Sequence, residues 1–507
     1  MRGGPAYVGL DLGTSGLKGA VLDETGSVVA RATSPYATHH LVPGAAEQDP
    51  ADWIRSTGAV VAELAQQRDP RSWACIGLTG MIPTLVTLDA EGLPTGPAVT
   101  WEDGRAEIQA ARMRVVVGEE RLYSVTGQRL DARYLLPMFC RLSEEDHVRN
   151  SATAAICSAK DYVFLQLTGE LATDPSTATG FGCYDLTARS WHQGIVDVVA
   201  DLLPAAVPRL PALEPSSTVR SLSPRAASLL GLPAGLPVNL GAADSVVGAT
   251  GLGVTRDGEV AYIAGTSSVL LALSSQLVLD RSHRYLVTPM PGDGMWGLEM
   301  DLLATGSGLA WLAQILGSDS VAALGEVARA VEPAQAPVFL PYLGGGEQGA
   351  LWDPTLRGSL LGLGVHHERS HIARAMLNGI ALESRRCLEV IAETGLPHSP
   401  LHFSGPGMAA SAFSQDLADA SRRQVVVAPG ATAGSSVLGA AMLAARAVAG
   451  ATVEQSMREG LESAAIVVEP DEARGRVWDH LFASHELALA ALRPLYHSGI
   501  FGKGGCS

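Results

Sequence analysis

Two short Gly-Thr-Ser segments are the most chemically suggestive feature of this sequence. They begin at Gly13 and Gly265, and each lies between two apolar runs, which predicts two hairpins with glycine-rich tips. Backbone N–H groups that no large side chain covers, together with hydroxyls, suit the oxygen atoms of a phosphate. One such tip is more often only a tight turn. Two tips at equivalent places in two halves of the chain favour a pair that holds a phosphate chain from both sides.

Two aspartates lie where they could act on a phosphate held in this way. Asp11 directly precedes the first tip, where it could hold a magnesium ion through water or satisfy the backbone of the turn. Asp244 lies among small residues before a segment that could begin a helix. There it could cap the helix, or it could accept a proton from an attacking hydroxyl during phosphoryl transfer. The local sequence leaves both alternatives open at each position.

Two glycine-rich segments match the dinucleotide pattern G-x-G-x-x-G/A. Residues 405–410 lie between a strand-like run and a predicted helix, but the next strand-like run, 425–427, lacks the acidic residue that would bind a ribose. A glycine loop that contacts a nucleotide in another way is therefore favoured. Residues 344–349 also match, but Pro354 follows where the helix should begin, which excludes a dinucleotide site there.

A zinc-binding pattern and a P-loop were also considered. Residues 367–371 satisfy H-E-x-x-H, but Ser370 is the better helix cap, so His367 should lie in a loop away from the face that carries His371. This argues against a zinc site. The P-loop pattern G-x-x-x-x-G-K-[ST] does not occur in the chain.

Composition restricts the possible partners and location. The chain has 507 residues, 47% of them hydrophobic and 17% charged, with a net charge of −16, which indicates a large globular protein. This net negative charge disfavours nucleic acids and anionic membranes as partners. Six scattered cysteines without C-x-x-C spacing fit a reducing compartment, and the N-terminus lacks signal-peptide features. No continuous apolar run reaches the roughly 18 residues of a membrane span, since stretches such as 434–450 are interrupted by Ser435, Ser436 and Arg446, so a cytoplasmic location is expected.

The order of predicted elements indicates an α/β protein with two related domains and a cleft between them. The first domain should cover residues 1–253 and carry the first hairpin, and the second should cover 254–507. Asp49 and Pro50 predict the start of one helix, and periodic apolar residues predict another over about 370–394.

These segments together resemble the FGGY carbohydrate kinases, most closely the xylulokinase branch, within the clan of actin, Hsp70 and hexokinase. The resemblance covers roughly residues 7 to 447. The matching segments are, in chain order, 9–18, 47–50, 101–105, 160–162, 168–170, 241–244, 265–267, 339–343 and 438–441.

The resemblance implies two ribonuclease-H-like domains flanking a nucleotide cleft, with ATP and Mg²⁺ used to phosphorylate a sugar hydroxyl. It implies catalytic roles for Asp244 as the general base and for Asp11 as the magnesium-linked aspartate. The ATP contacts that it implies are Gly13, Thr14, Ser15, Lys18, Gly265, Thr266 and Ser267 for phosphates and Gly405, Gly407 and Met408 for adenosine. The sugar contacts are Met81, Ile82, Pro83, Trp101, Asp103, Arg105 and Asp244.

The substrate implied by the resemblance is a ketopentose such as D-xylulose, and a homodimer is common among similar proteins. Three departures bear on this expectation. Met81-Ile82-Pro83 stands where xylulokinases typically have Gln-Met-His, Gln348 stands in place of an arginine, and Pro406 interrupts a glycine run. A kinase for ribulose, a tetrose or a polyol such as erythritol is an alternative.

Two alternatives come from other functional classes. The altered sugar loop could mark a non-catalytic nucleotide-binding regulator, although the chain retains both Asp11 and Asp244. A dinucleotide-dependent oxidoreductase using the loop at Gly405 would bind nicotinamide or flavin, and the missing acidic residue after Val427 disfavours it.

Overall fold

Two mixed β-sheets form the centre of the protein in the computed structural model, which describes residues 4–203, 207–292, 294–405, 412–427 and 434–500. The strands in chain order are β1 (Ala6–Gly13), β2 (Gly16–Asp23), β3 (Val28–Pro35), β4 (Glu47–Gln48), β5 (Trp73–Gly80), β6 (Val86–Leu88), β7 (Ala98–Val99), β8 (Ala155–Cys157), β9 (Ala172–Thr173), β10 (Tyr184–Asp185), β11 (Ser190–Trp191), β12 (Ala212–Leu213), β13 (Val219–Ser221), β14 (Pro237–Ala243), β15 (Val260–Ala264), β16 (Ser268–Ser274), β17 (Leu286–Pro289), β18 (Trp296–Leu302), β19 (Val338–Leu340), β20 (Ser359–Leu361), β21 (Leu401–Ser404), β22 (Val425–Val427) and β23 (Ile466–Val468).

Helices alternate with these strands along much of the chain. The α-helices in chain order are α1 (Pro50–Gln67), α2 (Glu107–Val117), α3 (Glu119–Thr126), α4 (Leu135–Glu145), α5 (His147–Ala152), α6 (Ala159–Thr168), α7 (Pro175–Thr179), α8 (Gln193–Leu202), α9 (Pro224–Leu230), α10 (Asp244–Gly251), α11 (Gly306–Ile315), α12 (Val321–Ala328), α13 (Arg369–Ala392), α14 (Ala412–Ser421), α15 (Ser435–Ala449), α16 (Ala451–Ser463) and α17 (Glu472–His497). Short 3₁₀ helices lie at Pro70–Ser72 and Pro333–Gln335.

The first sheet has the strand order β13-β14-β5-β1-β2-β3. Strand β1 pairs antiparallel with β2 and parallel with β5, which in turn pairs parallel with β14. Nearly every residue of β1 and β5 is buried, a pattern typical of strands covered on both faces. Helix α1 contacts β2 and β3, and α15 contacts β1 and β5.

The second sheet repeats this arrangement with the order β17-β18-β16-β15-β21-β22-β23. The hairpin of β15 and β16 is again antiparallel, and β21 pairs parallel with β15. Both predicted hairpins are therefore present, with tips at residues 14–15 and 265–267. The predicted α/β class is confirmed.

Helices α10 and α15 pack against each other between the two sheets, at backbone contact distance. A Cβ atom on Gly439 would lie 1.9 Å from the carbonyl oxygen of Val247. A Cβ on Gly251 would lie 2.0 Å from the carbonyl oxygen of Ser435. Only glycine permits so close an approach. Because α15 also packs on the first sheet, and α10 on β15, this crossing joins the two halves. The division of the chain at residue 253 stays a prediction.

Two helix starts can be compared with the sequence. Asp49 caps α1 by accepting a hydrogen bond from the Ala51 N–H at 2.9 Å, as predicted. The prediction that Ser370 caps α13 is wrong, because Glu368 is the cap and forms a reciprocal capping box with His371. His367 nevertheless lies outside the helix. Among the described residues there is no group of three or more potential metal ligands.

The length and hydropathy of each helix decide whether it could cross a bilayer. Within the ranges given above, none is both long and apolar enough to cross a membrane.

The α10–α15 contact predicts opposite effects for two glycine substitutions within helices. Gly439→Ala should destabilise the protein by about 1–3 kcal/mol, because its Cβ would collide with a backbone oxygen. Gly325→Ala in α12 has open space around its Cβ and should stabilise by about 0.5–1 kcal/mol. Thermal unfolding of both variants checks this. A Gly439→Ala protein as stable as the Gly325→Ala control would contradict the packing.

Candidate functional site

The two aspartates singled out in the sequence lie at the same edge of the first sheet. Asp11 pairs with Thr79 of β5 near the end of β1, and Ala242 at the end of β14 pairs with the same Thr79 from the other side. Asp244 follows directly as the first residue of α10. Because the carboxyl ends of parallel strands meet at one edge, the topology brings these carboxylates together in a cleft.

Asp244 is not a helix cap, which corrects the structural alternative from the sequence. The cap of α10 is Ala243, and no side chain caps this helix. The Asp244 carboxylate accepts one backbone hydrogen bond, from the Ser245 N–H at 3.0 Å. Burial, reinforced by the nearby charges of Asp11 and Asp301, raises the pKa of Asp244 to about 8.

Asp11 is buried, and its Oδ1 atom has no hydrogen-bond partner among the described residues. Burial raises the pKa of Asp11 to about 6, and the charge of Lys18 acts in the opposite direction. Lys18 is exposed and lies directly across from Asp11 on β2. A buried carboxylate oxygen with no donor is the kind of group that binds a cation or a hydrated cation.

The second sheet contributes two carboxylates that the sequence analysis missed, Glu299 and Asp301 on β18. The Ser245 hydroxyl donates to Glu299 Oε2 at 3.0 Å, which links this strand to the start of α10. Burial, together with the charges of Asp301 and Asp244, raises the pKa of Glu299 above its ordinary value. Burial also raises the pKa of Asp301, although Arg133 opposes this. The alternation Glu-Met-Asp in an otherwise apolar strand was the signal available in the sequence.

Arg133 is the cation nearest to these carboxylates in the interactions described. Its guanidinium pairs with Asp131 at 2.6 Å and interacts with Asp301. The Gln348 side-chain amide is best oriented with its oxygen toward Arg133. In this orientation the oxygen accepts a hydrogen bond from Arg133 Nη1 at 3.0 Å. Arg133 thus connects the first half of the chain to residues 346–350, the segment in which Gln348 stands in place of an arginine. No local sequence pattern predicts that Arg133 interacts with Asp301 and Gln348.

Side chains from other segments form hydrogen bonds with the first hairpin tip. Tyr36 donates its hydroxyl to the Gly13 carbonyl oxygen at 2.5 Å, and Gln48 Nε2 donates to the Thr14 carbonyl at 2.7 Å. The Trp101 indole N–H donates to the Thr14 hydroxyl at 3.0 Å. Ser15, at the tip, is exposed. Thr14 of the predicted phosphate-binding hairpin and Trp101, a predicted sugar-binding residue, are therefore in direct contact.

The second hairpin tip is exposed at Gly265 and Thr266, with Ser267 half-buried. The Gly265 N–H donates to the Ser267 carbonyl at 2.8 Å, and the Ser307 N–H donates to the Thr266 carbonyl at 2.9 Å. A Cβ on Gly306 would lie 2.0 Å from the Gly265 carbonyl oxygen. The start of α11 therefore packs directly against this tip.

The predicted adenosine loop lies largely outside the described residues. Gly405 is buried directly after β21. Gly407 and Met408 are outside the described residues.

The predicted sugar loop after β5 presents an apolar surface. Met81 is buried in the core of the first sheet, and its N–H donates to the Leu12 carbonyl at 2.9 Å. The Met81 side chain thus lies in the core beside this loop, and its contact with a sugar stays a prediction. Ile82 and Pro83 are partly exposed.

Asp103, another predicted sugar contact, has its carboxylate engaged by protein donors, and its contact with a sugar stays a prediction. It is completely buried, and its carboxylate accepts hydrogen bonds from the Ala46 N–H at 3.0 Å and from the Arg105 N–H at 3.0 Å. Arg105 Nε donates to it at 2.9 Å, and Arg105 Nη2 donates to Glu47 at 2.5 Å. Asp103 thus positions Arg105, whose side chain is 21% exposed.

Comparison with known proteins agrees with this architecture. The description "FGGY family of carbohydrate kinases, N-terminal domain" matches residues 6–251, and the C-terminal domain of the same family matches residues 260–448. The xylulose kinase of Escherichia coli (strain K12) is 30% identical over 442 residues, which cover 86% of this chain and 89% of that protein. The gluconokinase of Bacillus subtilis (strain 168) is 26% identical over 388 residues, 74% of each chain.

A solved structure supports the same comparison. The crystal structure of xylulose kinase from Rhodospirillum rubrum superimposes with a TM-score of 0.85 at 30% identity, covering 97% of this chain and 100% of that one. The predicted fold, two ribonuclease-H-like halves, is confirmed.

The raised pKa of Asp244 predicts a pH-dependent stability difference. Its folded-state pKa of about 8 exceeds the ordinary 3.8, so the folded state binds the extra proton and the protein loses stability as pH rises through this window. Asp244→Asn does not titrate. Its advantage over wild type should be absent near pH 4 and reach about 4–6 kcal/mol by pH 8–9, because each tenfold change in proton affinity corresponds to about 1.4 kcal/mol.

Denaturant unfolding across this pH range measures the difference, with the exposed Asp201→Asn as a matched control. Parallel stability curves for wild type and Asp244→Asn would show that Asp244 carries no electrostatic strain.

Proposed function

We propose a specific reaction for this chain, which belongs to the FGGY family of carbohydrate kinases. The chain transfers the γ-phosphate of ATP to a hydroxyl of a small uncharged sugar, and Asp244 is the general base. The observation that carries the role of Asp244 is its place at the carboxyl edge of the first sheet, close enough to Asp11 for the charge of Asp11 to act on it. The proposed donor, metal and base rest on this arrangement together with the family.

Asp244 has the electrostatic properties of a base that works near neutral pH. A carboxylate with its ordinary pKa accepts protons poorly, whereas the pKa of about 8 matches the usual operating range. The Asp244 carboxylate would take the proton of the attacking hydroxyl as the O–P bond forms. The nearby negative charges of Asp11 and Asp301 favour this protonation.

The phosphates would lie between the two hairpin tips. Exposed Ser15 and Thr266 offer hydroxyls, and glycines at both tips leave the backbone open to phosphate oxygens. Asp11 fits a magnesium ion, since its buried Oδ1 has no donor and Mg²⁺ is commonly bound by one or two carboxylates plus substrate phosphates. When bound, Mg²⁺ would supply positive charge to the phosphate oxygens.

An uncharged ketopentose such as D-xylulose is the proposed substrate class. Xylulose kinases are among the relatives at about 30% identity, but a gluconokinase is also similar. The carboxyl groups of Asp244, Glu299 and Asp301 offer no positive charge to the carboxylate of a sugar acid, and Arg133, the one cation near them among the described interactions, is paired with Asp131. Ribulose or a polyol such as erythritol fits the same argument. A homodimer and a cytoplasmic location stay predictions.

A substrate panel tests the proposed reaction. ADP release from Mg-ATP should be stimulated by D-xylulose, D-ribulose or erythritol and not by gluconate, because the cleft is acidic. A coupled assay with each compound at equal concentration gives kcat/KM for each. Stimulation by gluconate alone would refute the uncharged-sugar proposal, and silence with every compound despite ATP binding would favour the regulator alternative.

Asp244→Asn tests the general base separately. Removing the base should lower kcat by about 10²–10⁴-fold while leaving the dissociation constant for ATP nearly unchanged, because the proposed ATP contacts lie elsewhere. Steady-state kinetics and titration calorimetry provide the two numbers, with Asp201→Asn as the control. An Asp244→Asn enzyme that retains wild-type kcat would remove Asp244 from the mechanism.

A further inference from the structure

A β-bulge lies directly before Asp244. Strand β14 pairs Asn239 with Gly77 and Ala242 with Thr79, so two residues, Leu240 and Gly241, lie opposite the single residue Leu78. Gly241 has a φ of +67°, and a Cβ there would lie 1.6 Å from the Leu78 carbonyl oxygen. Bulges commonly re-aim the residues that follow them. The direction in which Asp244 enters the cleft therefore depends on how this bulge is held.

Lys160 holds one side of the bulge from within the core. Its side chain is completely buried, and its ammonium donates to the Leu240 carbonyl oxygen at 3.2 Å. The same ammonium lies 2.9 Å from Asp161 Oδ1 and 3.3 Å from Asp174 Oδ1. Burial alone would lower the pKa of Lys160, but these two carboxylates raise it above its ordinary value. A charged lysine is thus fixed against the backbone of β14.

Asp174 extends the network to the other end of the bulge. Its Oδ2 accepts hydrogen bonds from the Ser176 N–H at 2.9 Å and from the Ser176 hydroxyl. Having donated its proton to Asp174, the Ser176 hydroxyl accepts a hydrogen bond from the Ala243 N–H at 2.9 Å. Ala243 is the residue before Asp244, and the hydroxyl of Thr79 holds the adjacent Ala242 carbonyl at 2.8 Å.

We infer that Lys160, Asp174 and Ser176 form a positioning network that sets the orientation of the Asp244 carboxylate. This inference rests on the proposed function, in which Asp244 is the base. Lys160 and Ser176 contact the backbone before Asp244, and Asp174 joins these two residues to each other. Buried ion pairs are seldom a gain in stability over apolar residues. Here they help to fix the geometry of the bulge, together with the backbone hydrogen bonds that the Leu240 and Gly241 N–H groups donate to the Thr218 and Ser216 carbonyl oxygens.

The position of Asp244 matters because several charged groups face it. Asp11 approaches from β1, Glu299 and Asp301 from β18, and Arg133 lies on the far side of Asp301. Glu299 is also tied to α10 through Ser245. A small displacement of β14 changes the distances from Asp244 to all of these groups. Loss of the network should therefore alter both the rate and its pH dependence.

Ser176→Ala is the sharpest test because it removes one hydroxyl and leaves the Lys160 ion pairs in place. Thr177→Val on the same short helix is the matched control, since Thr177 is equally buried and its hydroxyl has no partner among the described residues. We expect Ser176→Ala to lower kcat by about 10²-fold, the effect of a misplacement of about 1 Å, with little change in KM for ATP. The pH at which kcat/KM falls on the acidic side should also shift.

The measurements are kcat, both KM values and the pH profile for the best substrate of the panel, with melting temperatures of each variant. The inference is overturned if Ser176→Ala and Thr177→Val share the wild-type kcat and pH profile. Asp174→Asn provides a second route if Ser176→Ala does not fold, and it should shift the profile in the same way. Failure of the proposed function would show differently, as wild-type activity in Asp244→Asn.

Discussion

The close crossing of helices α10 and α15 is the constraint on which the rest of this structure depends. Helix α15 lies on the first sheet while contacting α10, and α10 packs on the second sheet. Glycines at Gly251 and Gly439 let the two helices approach until backbone atoms touch. Because α10 begins at Asp244, the crossing that joins the halves also fixes the residue that enters the cleft. Packing and the proposed chemistry therefore share one helix.

The cleft concentrates negative charge that no single element could hold. Carboxylates come from β1, from the start of α10 and from β18, and burial, reinforced by their mutual repulsion, raises the pKa values of several of them. Arg133 provides a counter-charge from the loop before α4. An arrangement of this kind suits binding partners that bring cations, as a magnesium–nucleotide complex does, and it is unfavourable to an anionic sugar. The electrostatics thus favour the uncharged sugars that we propose, whereas the relatives include both xylulose kinases and gluconokinases.

Sequence reasoning succeeded where the signal was local. The hairpins, the Asp49 cap of α1 and the α/β alternation were predicted because short-range periodicity and turn residues determine them. It failed where competing groups were close in sequence. Glu368 rather than Ser370 caps α13, because a reciprocal capping box with His371 satisfies two donors where Ser370 offers one acceptor. The pairing of the Asp103 carboxylate with Arg105, two residues later, was likewise not predicted.

From the amino-acid sequence alone followed two related α/β halves, each with a glycine-tipped hairpin, and the choice of Asp11 and Asp244 as candidate site residues. These features depend on residue type and near-neighbour spacing. Only the tertiary structure decided which groups surround these aspartates. Glu299 and Arg133 reach the cleft from elements distant in the chain, and Lys160 acts on Asp244 through contacts with the backbone of β14. Such contacts arise from strand order and helix crossing, which long-range packing fixes and local sequence does not encode.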